Sequence, residues 1–303
     1  MRPVLTVGSV AFDSVKTPSG EVSRVVGGAA TFFSVAASFF TEVRLVAVVG
    51  DDFGETEMKV FGGRKIDLAG LQRVSGETFR WKGEYGDDLN SRETIYTHLN
   101  VFEEFRPHIP DTFRASPIVF LANIHPALQL EVLEQVQEPE FVALDTMNYW
   151  IKGALDELKT VLQRVDVVVI NDEEARLLSG ESSLVKASRV IRQMGPSRVV
   201  IKRGEHGVLM TDRGGCFATP GLPLEDVVDP TGAGDTFAGG FVGYLASSET
   251  FTEDVYRQAV ICGSAMASLS VQDFGLFRLL SLADEDIRGR FDSFRHLTSF
   301  EQL

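Results

Sequence analysis

The sequence predicts an α/β protein with a mostly parallel sheet, and three observations support this class. Short apolar runs rich in valine and isoleucine recur along the chain, as is typical of strands buried on both faces. Segments of helical length separate these runs, as βαβ units require. The chain has 303 residues, which suffice for one large α/β domain with an appendage or for two ordinary domains.

The first half of the chain begins with a strand predicted over residues 4–10, where β-branched residues are dense. The pair Gly27-Gly28 then opens an apolar, small-residue stretch, 29–40, that is long enough for a buried helix. A second β-branched run over residues 43–49 ends at residues 50–54, Gly-Asp-Asp-Phe-Gly, whose composition is typical of a turn.

The second half of the chain continues the alternation, which excludes a β-sandwich and a helical bundle. Helices are predicted over residues 128–136 and 151–164. Further apolar strands are predicted at residues 118–121, 141–144, 165–170 and 199–201.

One region has a different pattern. Apolar and polar residues alternate over residues 78–85 and again over 94–101, on both sides of a turn-like stretch at 86–91. This period of two predicts a half-exposed antiparallel pair, which is either a lid over the sheet edge or an ordinary edge hairpin. No repeat, low-complexity tract or linker divides the chain. We therefore expect no strong domain boundary within residues 1–303.

Charge and cysteine content limit the possible partners. Lys and Arg total 29 against 43 for Asp and Glu, a net charge of −14 without a basic stripe, so neither nucleic acid nor a membrane is an expected partner. The apolar stretch at the N-terminus is too short for a signal peptide, and no window approaches the ~20 apolar residues of a membrane span. Cys216 and Cys262 lack the spacing of a zinc site or disulfide scaffold. We expect a cytoplasmic protein.

The strongest chemical signal lies in the glycine-rich segment 229–241. The small residues Gly232, Ala233 and Gly234 let the backbone turn and approach a ligand closely. A helix predicted over residues 236–245 would leave their amides free at its start. Free amides at a helix N-terminus bind anions, so the segment predicts an anion site.

Asp235 directly follows these small residues, and its negative charge would repel a phosphate group. A carboxylate here is useful as a general base that takes the proton from a hydroxyl attacking a phosphoryl group. An aspartate is also common at a helix N-terminal cap, and spacing alone does not separate the two roles. The chain lacks the Gly-x-x-x-x-Gly-Lys-Ser/Thr pattern, which excludes a P-loop kinase.

Residues 229–237, Asp-Pro-Thr-Gly-Ala-Gly-Asp-Thr-Phe, resemble the second signature of the ribokinase/PfkB family of carbohydrate and nucleoside kinases. Supporting segments occur in the family's order over most of the chain. They are Gly8 to Asp13 (first strand), Gly27-Gly28 with residues 50–54 (first signature), residues 171–174 (Asn-x-x-Glu motif) and residues 202–207 (nucleotide loop). The resemblance implies a single domain over residues 1–303 with a three-layer α/β/α ribokinase-like fold, in which about 14–26 and 75–104 form a small β lid.

The resemblance also implies an ATP- and Mg²⁺-dependent kinase. Asp235 would be the general base, and the amides of Gly232, Ala233 and Gly234 would stabilise the transferred phosphoryl group. Glu174 would act on Mg²⁺ through water, although a solvated acid at a helix start is the alternative. The implied nucleotide site consists of Asn171, Glu174, Lys202, Arg203, Gly204, Gly207 and Ser264. A possible monovalent cation, such as K⁺, would be held by Asp229 and Thr231.

The acceptor site implied by the resemblance consists of Asp13, Gly27, Gly28, Thr31 and Asp145. Asp13 could accept hydrogen bonds from two adjacent hydroxyls or cap a strand end. Residues 29–33 read Ala-Ala-Thr-Phe-Phe where the best-known sugar kinases carry an Asn, so ribose or fructose specificity is not implied.

Three functions remain open at this point. The first is phosphorylation of a hydroxyl group of a small sugar or polyol, and the second is an adenosine-like nucleoside kinase of the same family. The third is a non-catalytic ligand sensor on the kinase fold, against which the retained base, glycines, Asn171 and Glu174 argue. A homodimer formed through the lid is also expected.

Overall fold

A nine-stranded sheet forms the middle layer of this computed structural model, which describes residues 1–89 and 91–299. Neighbouring strands are parallel except at one edge, where the second strand from that edge runs antiparallel to both of its neighbours. In spatial order the strands are β13 (Cys216–Thr219), β12 (Val208–Thr211), β11 (Arg198–Lys202), β10 (Val167–Asn171), β9 (Phe141–Asp145), β8 (Ile118–Leu121), β1 (Val4–Val7), β4 (Val43–Val49) and β5 (Ile66–Arg73).

Helices cover both faces of this sheet. The helices are α1 (Ala29–Ala37), α2 (Glu55–Met58), α3 (Asp111–Arg114), α4 (Pro126–Gln135), α5 (Asn148–Gly153), α6 (Leu155–Leu162), α7 (Asp172–Ser179), α8 (Leu184–Gln193), α9 (Ala233–Ser247), α10 (Glu253–Ser270), α11 (Phe277–Ser281) and α12 (Asp284–Thr298).

Alternating side chains of each strand divide the apolar core into two layers. Val168 and Ile170 of β10 pack in one core cluster with α4, α6, α7 and α8. Val167 and Val169 pack in the other with α1, α9 and α10. Successive strand residues point to opposite faces, so a strand that is apolar throughout must be covered on both sides. The predicted α/β class is confirmed.

A second sheet of four strands lies apart from the first. Its order is β3 (Gly20–Gly27), β2 (Ala11–Thr17), β6 (Phe79–Tyr85) and β7 (Arg92–His98). The predicted antiparallel pair is present as β6 and β7. Strands β2 and β6 pair in parallel, however, so the sheet is mixed. Asn90, in the predicted turn, lies outside the described residues.

The first predicted strand ends three residues early, at Val7 instead of Val10. Strand β1 ends at Val7, and β2 begins at Ala11 in the second sheet. At Gly8 a Cβ atom would lie 2.7 Å from the Cβ of Ala122, so the chain bends away where only glycine fits. Asp13 therefore lies inside β2, and the prediction that it stands at a strand end was wrong.

The helix predicted over residues 151–164 is two helices. Ala154 has φ −144° and ψ 43°, which is not helical, and it separates α5 from α6. Helical periodicity continues across the break, so the sequence pattern did not reveal it. Within the described part of the chain, no helix combines the length and apolar character needed to cross a membrane.

Candidate active site

The carboxyl ends of β9, β10 and β11 bring three polar side chains to one edge of the sheet. Asp145, Asn171 and Lys202 are the last residues of these strands. In open α/β sheets ligands bind outside this edge. Lys202 Nζ lies 3.8 Å from Asp145 Oδ1, and only 17% of the Lys202 side chain is exposed. Lys202 is therefore not an ordinary surface lysine.

The glycine-rich turn brings the start of α9 against Lys202. Gly232 has φ 73°, in the left-handed region, and its absent Cβ would lie 2.5 Å from the ring of Phe32. A Cβ on Gly234 would lie 2.9 Å from Lys202 Nζ. Gly232 is therefore required for the turn, whereas a side chain at Gly234 would displace the ammonium group of Lys202.

Helix α9 begins at Ala233, three residues before the predicted start at Thr236, because Gly232 already turns the chain. The Ala233 amide donates to the carbonyl of Pro230 at 3.2 Å. In the described part of the chain, the amides of Gly232 and Gly234 have no acceptor. Two of the three predicted anion-binding amides are therefore free, and the third is engaged in the turn.

Asp235 is the third residue of α9, so the alternative of an N-terminal cap is wrong. Burial, reinforced by the charge of Asp145, raises the pKa of its carboxyl group to about 7. Lys202 and Arg92 act in the opposite direction. A carboxyl group that titrates near neutral pH is well suited to accept a proton in a catalytic step.

Glu174 and Asn171 form a capping box at the start of α7. The backbone amide of Asn171 donates to Glu174 Oε2, and the backbone amide of Glu174 donates to Asn171 Oδ1, both at 2.8 Å. Glu174 is only 8% exposed, so the alternative of a solvated acid is wrong. Burial, reinforced by the charge of Asp145, raises the pKa of Glu174 to about 7. The Asn-x-x-Glu spacing thus fixes a buried carboxylate beside the cluster.

The second sheet contributes two residues that sequence reasoning missed. Tyr85 Oη lies 3.2 Å from Thr231 Oγ1, which joins β6 to the glycine-rich turn. The guanidinium group of Arg92, in β7, opposes the rise in the pKa values of Asp13 and Asp235. Tyr85 lies in the first alternating stretch and Arg92 just before the second, and the alternation does not tell which side chains face the sheet edge.

The predicted acceptor residues Asp13, Gly27 and Gly28 lie together. Asp13 is 6% exposed and its Oδ2 accepts from the Gly28 amide at 3.3 Å. A Cβ on Gly27 would lie 1.9 Å from this oxygen, so the glycine makes room for the carboxylate. Burial raises the pKa of Asp13 to about 7, opposed by the Gly28 amide and reinforced by Asp229 and Asp235. The carboxylate therefore belongs to the same cluster as Asp235.

Thr31 does not lie on an accessible surface. It is fully buried, and its hydroxyl has no partner within the described ranges. Phe32 and Phe33 beside it are core residues, and Phe33 stacks on Phe120 at 4.0 Å between ring centroids. The expectation that Thr31 contacts the acceptor is corrected, because α1 turns this side chain into the core. Asp145, the remaining predicted acceptor residue, is 5% exposed, and burial raises the pKa of its carboxyl group.

A cavity of about 760 Å³ adjoins the cluster, within the size range of small-molecule sites. Its walls include the apolar side chains of Leu222, Val227 and Phe237 and, from the turn after β6, Leu89. Five of the predicted nucleotide residues line it, namely Lys202, Arg203, Gly204, Gly207 and Ser264, whereas Asn171 and Glu174 do not.

Two of these predicted nucleotide residues have a defined backbone or side-chain role. Gly207 has φ 82°, and a Cβ there would meet the Thr219 carbonyl at 2.1 Å. This confirms the predicted need for glycine in the loop after β11. The Ser264 hydroxyl donates to the Val260 carbonyl at 2.9 Å, so its proton is used within α10.

Asp229 connects two loops beside the site. Its Oδ1 accepts from the Thr231 amide at 2.8 Å and its Oδ2 from the Gly275 amide at 2.9 Å. Both oxygens therefore accept from backbone amides, which gives Asp229 a structural role. Over residues 1–89 and 91–299, no group of three or more His, Cys, Asp or Glu side chains is placed to hold a metal ion. A divalent ion here would depend on water and ligand oxygens.

Comparison with known proteins gives concordant matches. The family model described as pfkB family carbohydrate kinase matches residues 1–280. Ribokinase from Haemophilus influenzae is 36% identical over 301 residues, covering 91% of this chain and 94% of the relative. Cytidine kinase from Thermococcus kodakarensis is 30% identical over 249 residues, covering 80% and 88%. The structure of Arabidopsis thaliana ribokinase complexed with ribose and ATP matches with a TM-score of 0.77 at 21% identity, covering 96% of this chain and 98% of that chain. The predicted three-layer fold is confirmed.

Proposed function

The chain belongs to the pfkB family of carbohydrate kinases, and from that premise we propose that it transfers the γ-phosphoryl group of ATP to a hydroxyl group of a small sugar or polyol. The arrangement that carries the proposal is the group of Asp235, Lys202 and Gly234 at the start of α9, beside the large cavity. It supplies a base, a cation and a free amide within one small region.

In the proposed reaction Asp235 takes the proton of the acceptor hydroxyl as its oxygen attacks the γ-phosphorus atom. The free amides of Gly232 and Gly234 and the ammonium group of Lys202 stabilise the negative charge on the transferred group. Arg203, Gly204, Gly207 and Ser264 border the nucleotide in the cavity. The bond to the β-phosphate breaks, and ADP leaves with the phosphorylated acceptor as the second product.

Mg²⁺ fits the site only as an ion held largely by water and phosphate oxygens. Within residues 1–89 and 91–299, one carboxylate oxygen of Glu174 has no protein partner, whereas the other accepts from the backbone amide of Asn171. When bound, Mg²⁺ would neutralise charge on the phosphates. Glu174 would orient the water shell of the ion. We leave K⁺ out of the proposal, because both oxygens of Asp229 already hold amide groups.

Glu174→Gln is expected to lower the apparent Mg²⁺ affinity by ~10-fold, with little change in acceptor KM. Glutamine can keep the capping box, so the fold is retained while the charge is lost. The measurement is a Mg²⁺ titration of the rate at saturating acceptor. Glu173→Gln, at the exposed neighbouring position, is the control. An unchanged titration in Glu174→Gln would contradict the role.

The acceptor site has features suited to a polyhydroxy compound. The carboxylates of Asp13, beside Gly27 and Gly28, and of Asp235, whose charge acts on Asp13, are acceptors for hydroxyl protons. A panel of sugars, inositols and nucleosides, assayed for acceptor-dependent ADP release, tests the proposal. A sugar or polyol should give the highest kcat/KM. Activity with no member of the panel, despite ATP binding, would favour the ligand sensor instead.

A nucleoside kinase is the second candidate, and one observation favours it. The indole Nε1 of Trp150 donates to Asn123 Oδ1 at 2.9 Å, and the ring of His125 packs against this indole. These residues follow β8 and β9 at the same sheet edge as Asp145. An aromatic surface there can stack on a base. If nucleosides exceed sugars in the panel, Trp150→Leu should raise their KM and leave sugar KM unchanged.

We propose that the second sheet acts as a lid over the acceptor. Trp81 of β6 packs on Gly83, and the guanidinium group of Arg92 lies 5.3 Å from the centre of its ring. Adding acceptor should therefore change Trp81 fluorescence, measured in a Trp150→Phe background that removes the only other tryptophan. Deletion of residues 86–91 should raise ATP hydrolysis without acceptor relative to transfer, because water then enters.

The lid proposal has a control and a result that would contradict it. A sugar that is not phosphorylated serves as the control for the fluorescence change. If Trp81 fluorescence ignores the true acceptor and the deletion leaves the ratio of hydrolysis to transfer unchanged, the sheet is not a lid.

We propose further that the protein forms a homodimer through this sheet, because its edge strand β7 is largely exposed, with Ile95 46% exposed. Unpaired edge strands are natural pairing surfaces. Light scattering should give the mass of a dimer for the wild type and a lower mass for Ile95→Lys.

We also propose a cytoplasmic location, because Cys216 and Cys262 are both free cysteines.

A further inference from the structure

A small second cavity lies between α8 and the turn that joins β12 to β13. Its volume is about 230 Å³, and its walls include Arg189 and Arg192 of α8 together with Thr211 and Arg213 of the turn region. It shares no residue with the larger cavity described above. The phosphoryl-transfer proposal therefore gives it no role.

Arginine side chains give this cavity a positive charge that contrasts with the chain's net charge of −14. Arg189, Arg192 and Arg213 meet there with a single acid, Asp212. Asp212 is already paired, because Arg198 Nη1 lies 2.9 Å from its Oδ2. Within the described ranges, none of the three lining arginines has an ion-pair partner. Their charges are therefore available to an anion.

Two polar atoms in the cavity walls are buried without a partner. Thr211 is 3% exposed, and its Oγ1 makes no hydrogen bond in the part of the chain that the structure describes. The Nε atom of Arg192 is enclosed in the same way. Buried hydroxyl and guanidinium groups are normally hydrogen-bonded in folded proteins. A ligand with several acceptor oxygens would satisfy both atoms.

The position of Arg192 at the end of α8 explains its positive charge without a ligand, but it does not explain the other groups. Arg192 lies in the last turn of α8, where the helix dipole favours a positive charge. This accounts for its charge but not for the enclosed, unpaired Nε. It also leaves unexplained the buried hydroxyl of Thr211 and the charge of Arg213, which belong to a different element. Groups from two elements thus converge on one space.

We propose that this cavity binds a phosphate group, either as inorganic phosphate or as part of a small phosphate monoester. Arginine forks bind phosphate oxygens in bidentate pairs, and the Thr211 hydroxyl supplies one further donor. The cavity is smaller than the ~300–1,000 Å³ typical of sites for drug-sized ligands, so a whole nucleotide does not suit it.

The test is a titration of the full chain with inorganic phosphate at constant ionic strength. Binding is followed through the NMR signals of the backbone amides of Gly214 and Gly215. These glycines line the small cavity and are remote in sequence from the glycine-rich turn, so their signals report this site. The wild type should show saturable shifts. Thr211→Val and Arg192→Gln should each raise Kd roughly tenfold.

Matched controls are Arg288→Gln and Arg295→Gln, which remove the same charge from exposed positions of α12. Both should bind phosphate as the wild type does. Thr211→Val loses a hydroxyl that has no partner, so we expect it to fold normally, and thermal unfolding checks this.

Each result of the phosphate titration either supports the site or overturns the proposal. Saturable shifts with inorganic phosphate, with glycerol phosphate or with both support the site, and the tighter of the two identifies the preferred source. Shifts that do not saturate in the wild type overturn the proposal. Equal weakening in the α12 controls also overturns it, because that result indicates only general attraction of anions.

Discussion

Asp235→Asn is expected to lower kcat by ~10²–10⁴-fold while leaving ATP affinity nearly unchanged. Asparagine keeps the shape of the side chain but cannot accept the hydroxyl proton. In the wild type the rate should fall as the pH drops below the pKa of about 7 to which burial raises the Asp235 carboxyl. Steady-state kinetics and ATP-binding calorimetry measure the two effects separately.

The same substitution should increase stability at alkaline pH. The folded Asp235 carboxyl has a pKa of about 7, against 3.8 for the ordinary group, so between these values the folded state binds more protons than the unfolded state. Stability therefore falls as the pH rises from about 4 to 7, and above 7 the folded protein retains a buried charge. Asparagine removes that charge. Its Tm should exceed that of the wild type at pH above 7, and the difference should shrink toward pH 5.

Loss of activity together with gain of stability distinguishes a base from a structural residue, whose removal lowers both. Asp254→Asn, at an exposed position of α10, is the control and should change neither. If Asp235→Asn kept more than about a tenth of the wild-type kcat, Asp235 would not be the base.

The sheet of this protein could be predicted because local pattern and tertiary environment agree. Residues 118–121 are apolar throughout, and the strand observed there has the same bounds. Its apolar side chains suit a position that helices cover on both faces. The end of β1 could not be predicted. The run 4–10 is rich in β-branched residues on both sides of Gly8, and the close approach of Gly8 to Ala122, which is distant in sequence, is not visible in it. The parallel pairing of β2 with β6 is likewise a long-range contact.

The candidate site shows the same division between local and distant information. The capping box of Asn171 and Glu174 is encoded within four residues, and the glycine-rich turn within a similarly short segment. The contacts of Tyr85 and the influence of Arg92 depend on how the second sheet lies over the first. No spacing within β6 or β7 specifies that arrangement.

Lys202→Met is the other substitution with a large expected effect. Burial opposes the charge of Lys202, yet Asp145, Glu174 and Asp235 raise the pKa of its ammonium group above the ordinary value. The side chain also lies directly against Gly234, where the transferred phosphoryl group would be bound. Methionine keeps the volume and removes the charge. We expect kcat/KM for ATP to fall by ~10²–10³-fold, as for loss of other preorganised electrostatic groups.

A second consequence of Lys202→Met separates an electrostatic role from simple disruption of the site. Lys202 lowers the pKa values of both Asp235 and Glu174, so without it both carboxyl groups should hold their protons to higher pH. The acidic limb of the pH–rate profile should therefore move toward alkaline pH, measured well below the Tm of the variant. Arg203→Met is the matched control, since Arg203 lines the same cavity but does not influence the pKa of Asp235. A loss of rate with an unmoved limb would contradict the assignment, because the ammonium group would then not act on the base.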